Sequence, residues 1–158
     1  MNTTNESIKE KNHDDIVEAL QELLEKNYDA EKGFKKAIEN SKHEALKTYL
    51  KKEAVKRNRF ATEIDFEIRA LNAQPTEKGS ATASVHRAWI DLKSAIAGND
   101  DEAILEECIR GEKASVEEYE EVIKKHKLPA KIEQVIAKQL DEIQKTFNNV
   151  KRLEDLHD

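Results

Sequence analysis

A chain of 158 residues suits one domain, and at that size roughly two-thirds of the unfolded surface can be buried. With 38% charged residues, four Gly and two Pro, the composition is that of long helices rather than of sheets. The net charge of −6 is spread over interleaved Lys and Glu with no basic stripe or aromatic platform, which argues against nucleic acid as a partner.

No run approaches the roughly 20 apolar residues of a membrane span, and residues 1–15 lack the apolar core of a secretory signal, so neither a membrane nor export is expected and the cytoplasm is the default location. A lone Cys108 leaves no intrachain disulfide. So polar a chain could be disordered, but its apolar residues are periodic, and each helix can bury one stripe while its charged face stays in water.

Residues 1–12 are polar and read as a flexible tail, leaving 13–158 as a single helical-bundle domain. The first helix is expected to start near Asn12 to Asp14 and run to about Asn40, with Val17, Leu20, Leu24, Asn27, Glu31, Phe34 and Ile38 along its seam. Ser41 and Glu44 form a capping-box pattern that opens a second helix immediately, so the first two helices make an antiparallel hairpin. The second seam reads Leu46, Leu50, Glu53, Arg57, Phe60, Ile64 and Leu71, and Pro75 ends the helix.

A shorter amphipathic helix is expected from Ser80 to Ala97, carrying Val85, Trp89, Leu92 and Ile96 and closed by Gly98. Asn99, with Glu102 at the capping-box position, opens the next long helix through Leu105, Cys108, Glu112, Tyr119 and Val122 to about Lys125. Pro129 suits the first turn of the last helix, whose seam is Ile132, Ile136, Gln139, Ile143, Thr146, Val150 and Leu153. Two hairpins joined by a connection of about 25 residues imply a crossover along the bundle, returning the third long helix parallel to the first with both hairpin turns at one end. The expected fold is therefore all-α: a ferritin-like four-helix bundle with an additional helix in the crossover between helices 2 and 3.

Every seam is interrupted near its middle by polar residues: Asn27 and Glu31, Glu53 and Arg57, Glu112, and Gln139. Ionised side chains at core positions cost several kcal/mol unless paired or coordinated, so their co-occurrence needs a reason. Counted from the turns, the set with Glu142 spans about 8 Å at ~1.5 Å per residue, so it can form one layer.

One reading is a di-iron or di-manganese site, which takes a Glu from each of two helices and a Glu-x-x-His pair from each of the others. Glu31, Glu53 and Glu112 suit three carboxylate roles, and Glu142 or Gln139 would supply the fourth. The histidines are missing: Lys56 stands three residues after Glu53 and Lys145 three after Glu142. The other reading is a buried network of Arg57 with Glu31, Glu53 and Glu112, completed by Asn27 and Gln139, that fixes register and does no chemistry. The fixed cation at Arg57 favours it.

Glu-x-x-His does occur as Glu10 to His13 and as Glu154 to His157, both in terminal segments where ordering metal ligands costs entropy. His86 and Trp89 lie one turn apart on the crossover helix, where an aromatic usually pins such a helix to the bundle and a pocket beneath it is the alternative. Cys108 lies on a seam with no His at helical spacing, which fits a structural thiol. No phosphate loop, nucleophile elbow or zincin motif is present, and no catalytic residue is assigned.

The segments DAEKGFKKA at 29–37, RNRFATEI at 57–64, VHRAWIDLKSAI at 85–96, DDEAILEECIRGEKAS at 100–115 and LPAKIEQVIAKQ at 128–139 resemble bacterial four-helix-bundle proteins catalogued as domain of unknown function 2383 and placed among ferritin-like folds. The likeness covers roughly residues 14 to 155. It implies a fold and carries no established activity. By this resemblance Glu31, Glu53, Glu112 and Gln139 match the family's polar seam, and His86, Arg87 and Trp89 its crossover motif. The expected function is that of a non-enzymatic structural, interaction or stress-associated bundle without a cofactor, with an unidentified protein partner. The alternative is an iron- or manganese-binding oxidoreductase or iron-handling protein. The charged outer faces allow a homodimer without demanding one.

Overall fold

The computed structural model describes residues 4–77, 96–98 and 100–156. Four long helices carry the fold: α1 (Thr4–Asn40), α2 (Glu44–Ala70), α3 (Asp101–Lys125) and α4 (Ala130–Asn149), followed by a single 3-10 turn at Leu153–Asp155. Among the described residues there are no strands. The crossover helix expected over Ser80–Ala97 and its His86 and Trp89 fall almost wholly outside the described residues, as does Asn99.

α1 begins well ahead of the expected Asn12 to Asp14 start. Nothing between residues 4 and 15 is Gly or Pro, so a helix already nucleated by packing further along propagates through this polar stretch. Its buried stripe runs through Ile16, Leu20, Leu23, Leu24, Asn27, Ala30, Phe34 and Ala37. Val17 and Ile38, expected on the seam, are only half-buried, because the covered face is centred on the side that carries Ile16, Leu23, Ala30 and Ala37. α4 ends at Asn149, so Val150 and Leu153 pack from beyond the helix and not from its seam.

The α1–α2 turn corrects the expected Ser41 capping box. Ser41 is buried, and its hydroxyl donates back to the Ala37 carbonyl at 2.6 Å, closing α1 instead of opening α2. The N-cap of α2 is His43, whose Nδ1 accepts from the Leu46 amide at 3.3 Å. Asp101, the first residue of α3, accepts from the Lys42 amide at 3.1 Å and the His43 amide at 2.8 Å. Asp100, not Asn99, caps α3 and accepts from the Glu102 amide at 3.0 Å.

That contact also fixes helix direction. Since Asp101 sits on the α1–α2 turn, α3 starts where α2 starts, runs parallel to α2 and antiparallel to α1. Lys26 reaching Glu118 and Asn27 reaching Tyr119 agree with that sense. α4 then runs against α2, with Lys56 at Thr146, Arg59 at Glu142 and Lys131 at Glu67. The two hairpin turns therefore lie at opposite ends, correcting the expectation of a shared end and a parallel α1 and α3. The reason is connectivity: a crossover that returns the chain to the start of α2 obliges the next helix to run with α2.

The far end of α2 closes on Asn72, whose φ of 61° places it in the left-handed region. The Ala73 amide donates to the Ile68 carbonyl at 3.2 Å and the Asn72 amide to the Arg69 carbonyl at 2.9 Å, a Schellman closure with Asn where Gly is commoner. The core between the ends falls into two apolar clusters. One, toward the α3–α4 turn, holds Leu20, Leu24, Phe60, Ile64, Ile68 and Ile136. The other, toward the α1–α2 turn, holds Phe34, Leu46, Leu50, Ile104, Leu105 and Cys108.

Asp101→Ala removes the acceptor for the amides of the α1–α2 turn. Denaturant unfolding is expected to show a loss of about 1 kcal/mol or more, the cost of a lost cap.

Candidate functional site: a buried polar layer

Between the two apolar clusters lies a layer centred on Arg57, whose side chain is 1% exposed. Its position follows from α2 periodicity, which carries Leu50, Glu53, Arg57, Phe60 and Ile64 down one buried face. Arg57 Nη2 donates to Glu112 Oε1 and to Ser115 Oγ, both at 2.9 Å, and Nη1 donates to Asn27 Oδ1 at 3.0 Å. Burial works most strongly against the Arg57 charge, but Glu112, Tyr119 and Glu53 together outweigh it and hold the guanidinium above its ordinary pKa.

The bonds continue in one sense through the core. Asn27 Nδ2 donates to Tyr119 Oη at 2.8 Å, Tyr119 donates to Gln139 Oε1 at 2.6 Å, and Gln139 Nε2 donates to Glu63 Oε1 at 2.9 Å. Burial pushes the Tyr119 phenol upward, so it stays protonated and able to donate. Each of the four helices thus places at least one side chain in one connected relay, which ends in the buried Glu112 and the more open Glu63. Since every member specifies its neighbour's orientation, sliding one helix by a turn breaks several bonds together.

The four carboxylates considered as metal ligands each hold a cation of their own. Glu31 holds Lys35 at 2.8 Å and accepts from Asn58, and Glu53 holds Lys56 at 2.9 Å. Glu112 holds Arg57 at 2.9 Å, while Glu142 holds Arg59 at 2.6 Å and is 28% exposed. Among the described residues no three His, Cys, Asp or Glu side chains gather as a metal-ligand group. A donor set whose members are already neutralised and pulled toward separate cations does not fit a di-metal centre.

Arg57 bonds Glu112 alone among the three carboxylates expected around it. Asn27 and Gln139 both join the network as expected. Tyr119, Ser115 and Glu63 join it as well, although sequence periodicity placed Tyr119 along the helix without a polar role and did not mark the other two. A phenol at a seam position was the available signal, since a buried Tyr hydroxyl needs a partner. The His13 ring lies 2.9 Å from the Leu71 carbonyl at the outer end of the α1–α2 pair. Glu154 lies at the opposite end, where Leu153 and Leu156 join the Phe34 cluster, so the two Glu-x-x-His segments do not meet; His157 lies outside the described residues. Cys108 is buried, and burial followed by the Glu112 charge pushes its thiol up, away from the reactive thiolate.

Residues 15–125 match the family model described as Domain of unknown function (DUF2383). The chain belongs to this family. The match takes in Asn27, Glu31, Glu53, Arg57, Glu112 and Tyr119 and stops at the end of α3, so Gln139 and Glu142 of α4 lie beyond it. No curated protein and no solved structure matches the chain.

Arg57→Met strands Glu112 in the core and is expected to cost about 3–5 kcal/mol in denaturant unfolding, whereas Arg57→Met/Glu112→Met should recover most of that loss. A single substitution without effect on stability would remove the network from the account of the fold.

Proposed function

We propose that this DUF2383 protein is a non-enzymatic ferritin-like bundle with a helix in its crossover, acting in the cytoplasm through a protein partner or as a stress-associated structural protein. The observation that carries this reading is the separate cation on each candidate carboxylate, Lys35, Lys56, Arg57 and Arg59. Pairing of that kind uses the carboxylates to hold helices together, whereas a di-metal centre needs them converging and free. The helix directions support the ferritin-like topology, because α2 and α3 run parallel and one long connection must join their opposite ends. No helix of the described residues is long and apolar enough to cross a membrane, which accords with the proposed location.

The rival reading, an iron- or manganese-binding oxidoreductase or iron-handling protein, makes the opposite forecast in one experiment. Elemental analysis of untagged protein, paired with thermal unfolding in the presence of iron, manganese or zinc, is expected to find neither stoichiometric metal nor a shift. About two metals per chain, lost together with metal-dependent stabilisation in Glu53→Gln/Glu112→Gln, would overturn the proposal and make oxygen chemistry the next assay.

A further inference from the structure

Two carboxylate oxygens are left over once the polar layer is connected. Glu53 Oε1 and Glu112 Oε2 are buried and have no hydrogen-bond partner, nor has the Nε donor of Arg57. The other oxygen of each is taken, Glu53 Oε2 by Lys56 at 2.9 Å and Glu112 Oε1 by Arg57 at 2.9 Å. The leftover pair belongs to one place. Arg57, which grips Glu112, is one helical turn from Glu53 on the same buried face of α2. Among the charges acting on Glu53, that of Glu112 ranks first, ahead of Lys56 in direct contact with it.

Two lone acceptors held in one layer away from water repel, and each forfeits a hydrogen bond. One proton removes both costs. We propose that Glu53 is held in the folded protein as a neutral carboxylic acid whose Oε1 hydroxyl donates to Glu112 Oε2, with its Oε2 accepting from Lys56. The proton comes from water on folding and no other bond changes. Arg57 and Glu112 then form the fully buried ion pair of the layer, with the acid supplying the bond that Glu112 Oε2 lacks.

The surrounding groups are consistent with this arrangement. The Tyr49 phenol of α2 and the Cys108 thiol of α3 both feel these charges; burial first and then the Glu112 charge raise both, so both stay protonated. From α4, Thr146 steadies Lys56 through its hydroxyl at 2.9 Å. From α1, the Glu31 carboxylate is engaged by Lys35 and Asn58. Burial and Glu112 raise Glu53 against the pull of Lys56 and Arg57. A carboxyl raised in the folded state binds its proton more tightly than in the unfolded chain. Its contribution to stability is therefore present at low pH and is lost as pH rises from the unfolded value of about 4.3 through the folded one.

This inference rests on the geometry of the layer and stands apart from the functional proposal, which metal analysis tests. Infrared spectra of the native protein at neutral pH are expected to show a carboxylic-acid carbonyl band that Glu53→Gln and Glu53→Met both abolish. The thermal midpoint should rise on the order of 3 °C more between pH 8 and pH 5.5 in the wild type than in Glu53→Gln, with Glu133→Gln as an exposed control that keeps the wild-type slope. Absence of the band, or equal pH slopes in wild type and Glu53→Gln, would overturn the shared proton. So would manganese-dependent stabilisation that Glu53→Gln removes, since it would put a cation between the same two oxygens. If neither variant folds, the wild-type band and its loss on raising the pH decide the matter alone.

Discussion

The fold turns on a guanidinium placed where a bundle normally puts Leu. Arg57 is almost fully enclosed, so its charge has to be answered inside the core, and the answer comes from α1 through Asn27 and from α3 through Glu112 and Ser115. An ion pair of this kind contributes little net stability against an apolar pair of similar volume. Its physical consequence is geometric. Apolar clusters on either side tolerate sliding and rotation at modest cost, while a directional relay from Arg57 to Glu63 breaks several bonds together when one helix shifts.

That constraint is complemented at the helix ends by local chemistry of the same sort. Asp101 does for the α1–α2 turn what a capping side chain does within one helix, but from α3, nearly sixty residues away in sequence. Helix order, helix direction and the height of the polar layer are thus fixed by a few polar contacts, with Leu, Ile and Phe supplying the cohesive energy around them.

The same polar residues invite comparison with carboxylate metal centres, and what separates the two is charge pairing. Carboxylates that hold metals converge on a shared space and keep their lone pairs for it. Here Glu31 and Glu142 turn outward to Lys35 and Arg59, and Glu112 turns inward to Arg57. Glu53, Glu112 and Glu142 each keep one buried oxygen without a partner, while the other oxygen of each is held by its own cation.

The sequence by itself determined the all-helical class, the position of four long helices and the identity of the polar residues within their seams, because a period near 3.6 and the Gly and Pro positions are local properties of the chain. The family was legible too, through segments such as DDEAILEECIRGEKAS that lie inside the matched span. The tertiary structure decided helix direction, since a connection's length does not say at which end the next helix begins. It decided the caps, since Ser41 could bond forward or backward and it bonds back to Ala37, while Asp101 arrives from α3 to take the Lys42 and His43 amides. It also decided the partner of every charge. Glu53, Glu112 and Arg57 announce themselves by spacing, but which carboxylate faces the guanidinium depends on side-chain directions across helices, and sequence period alone does not contain them.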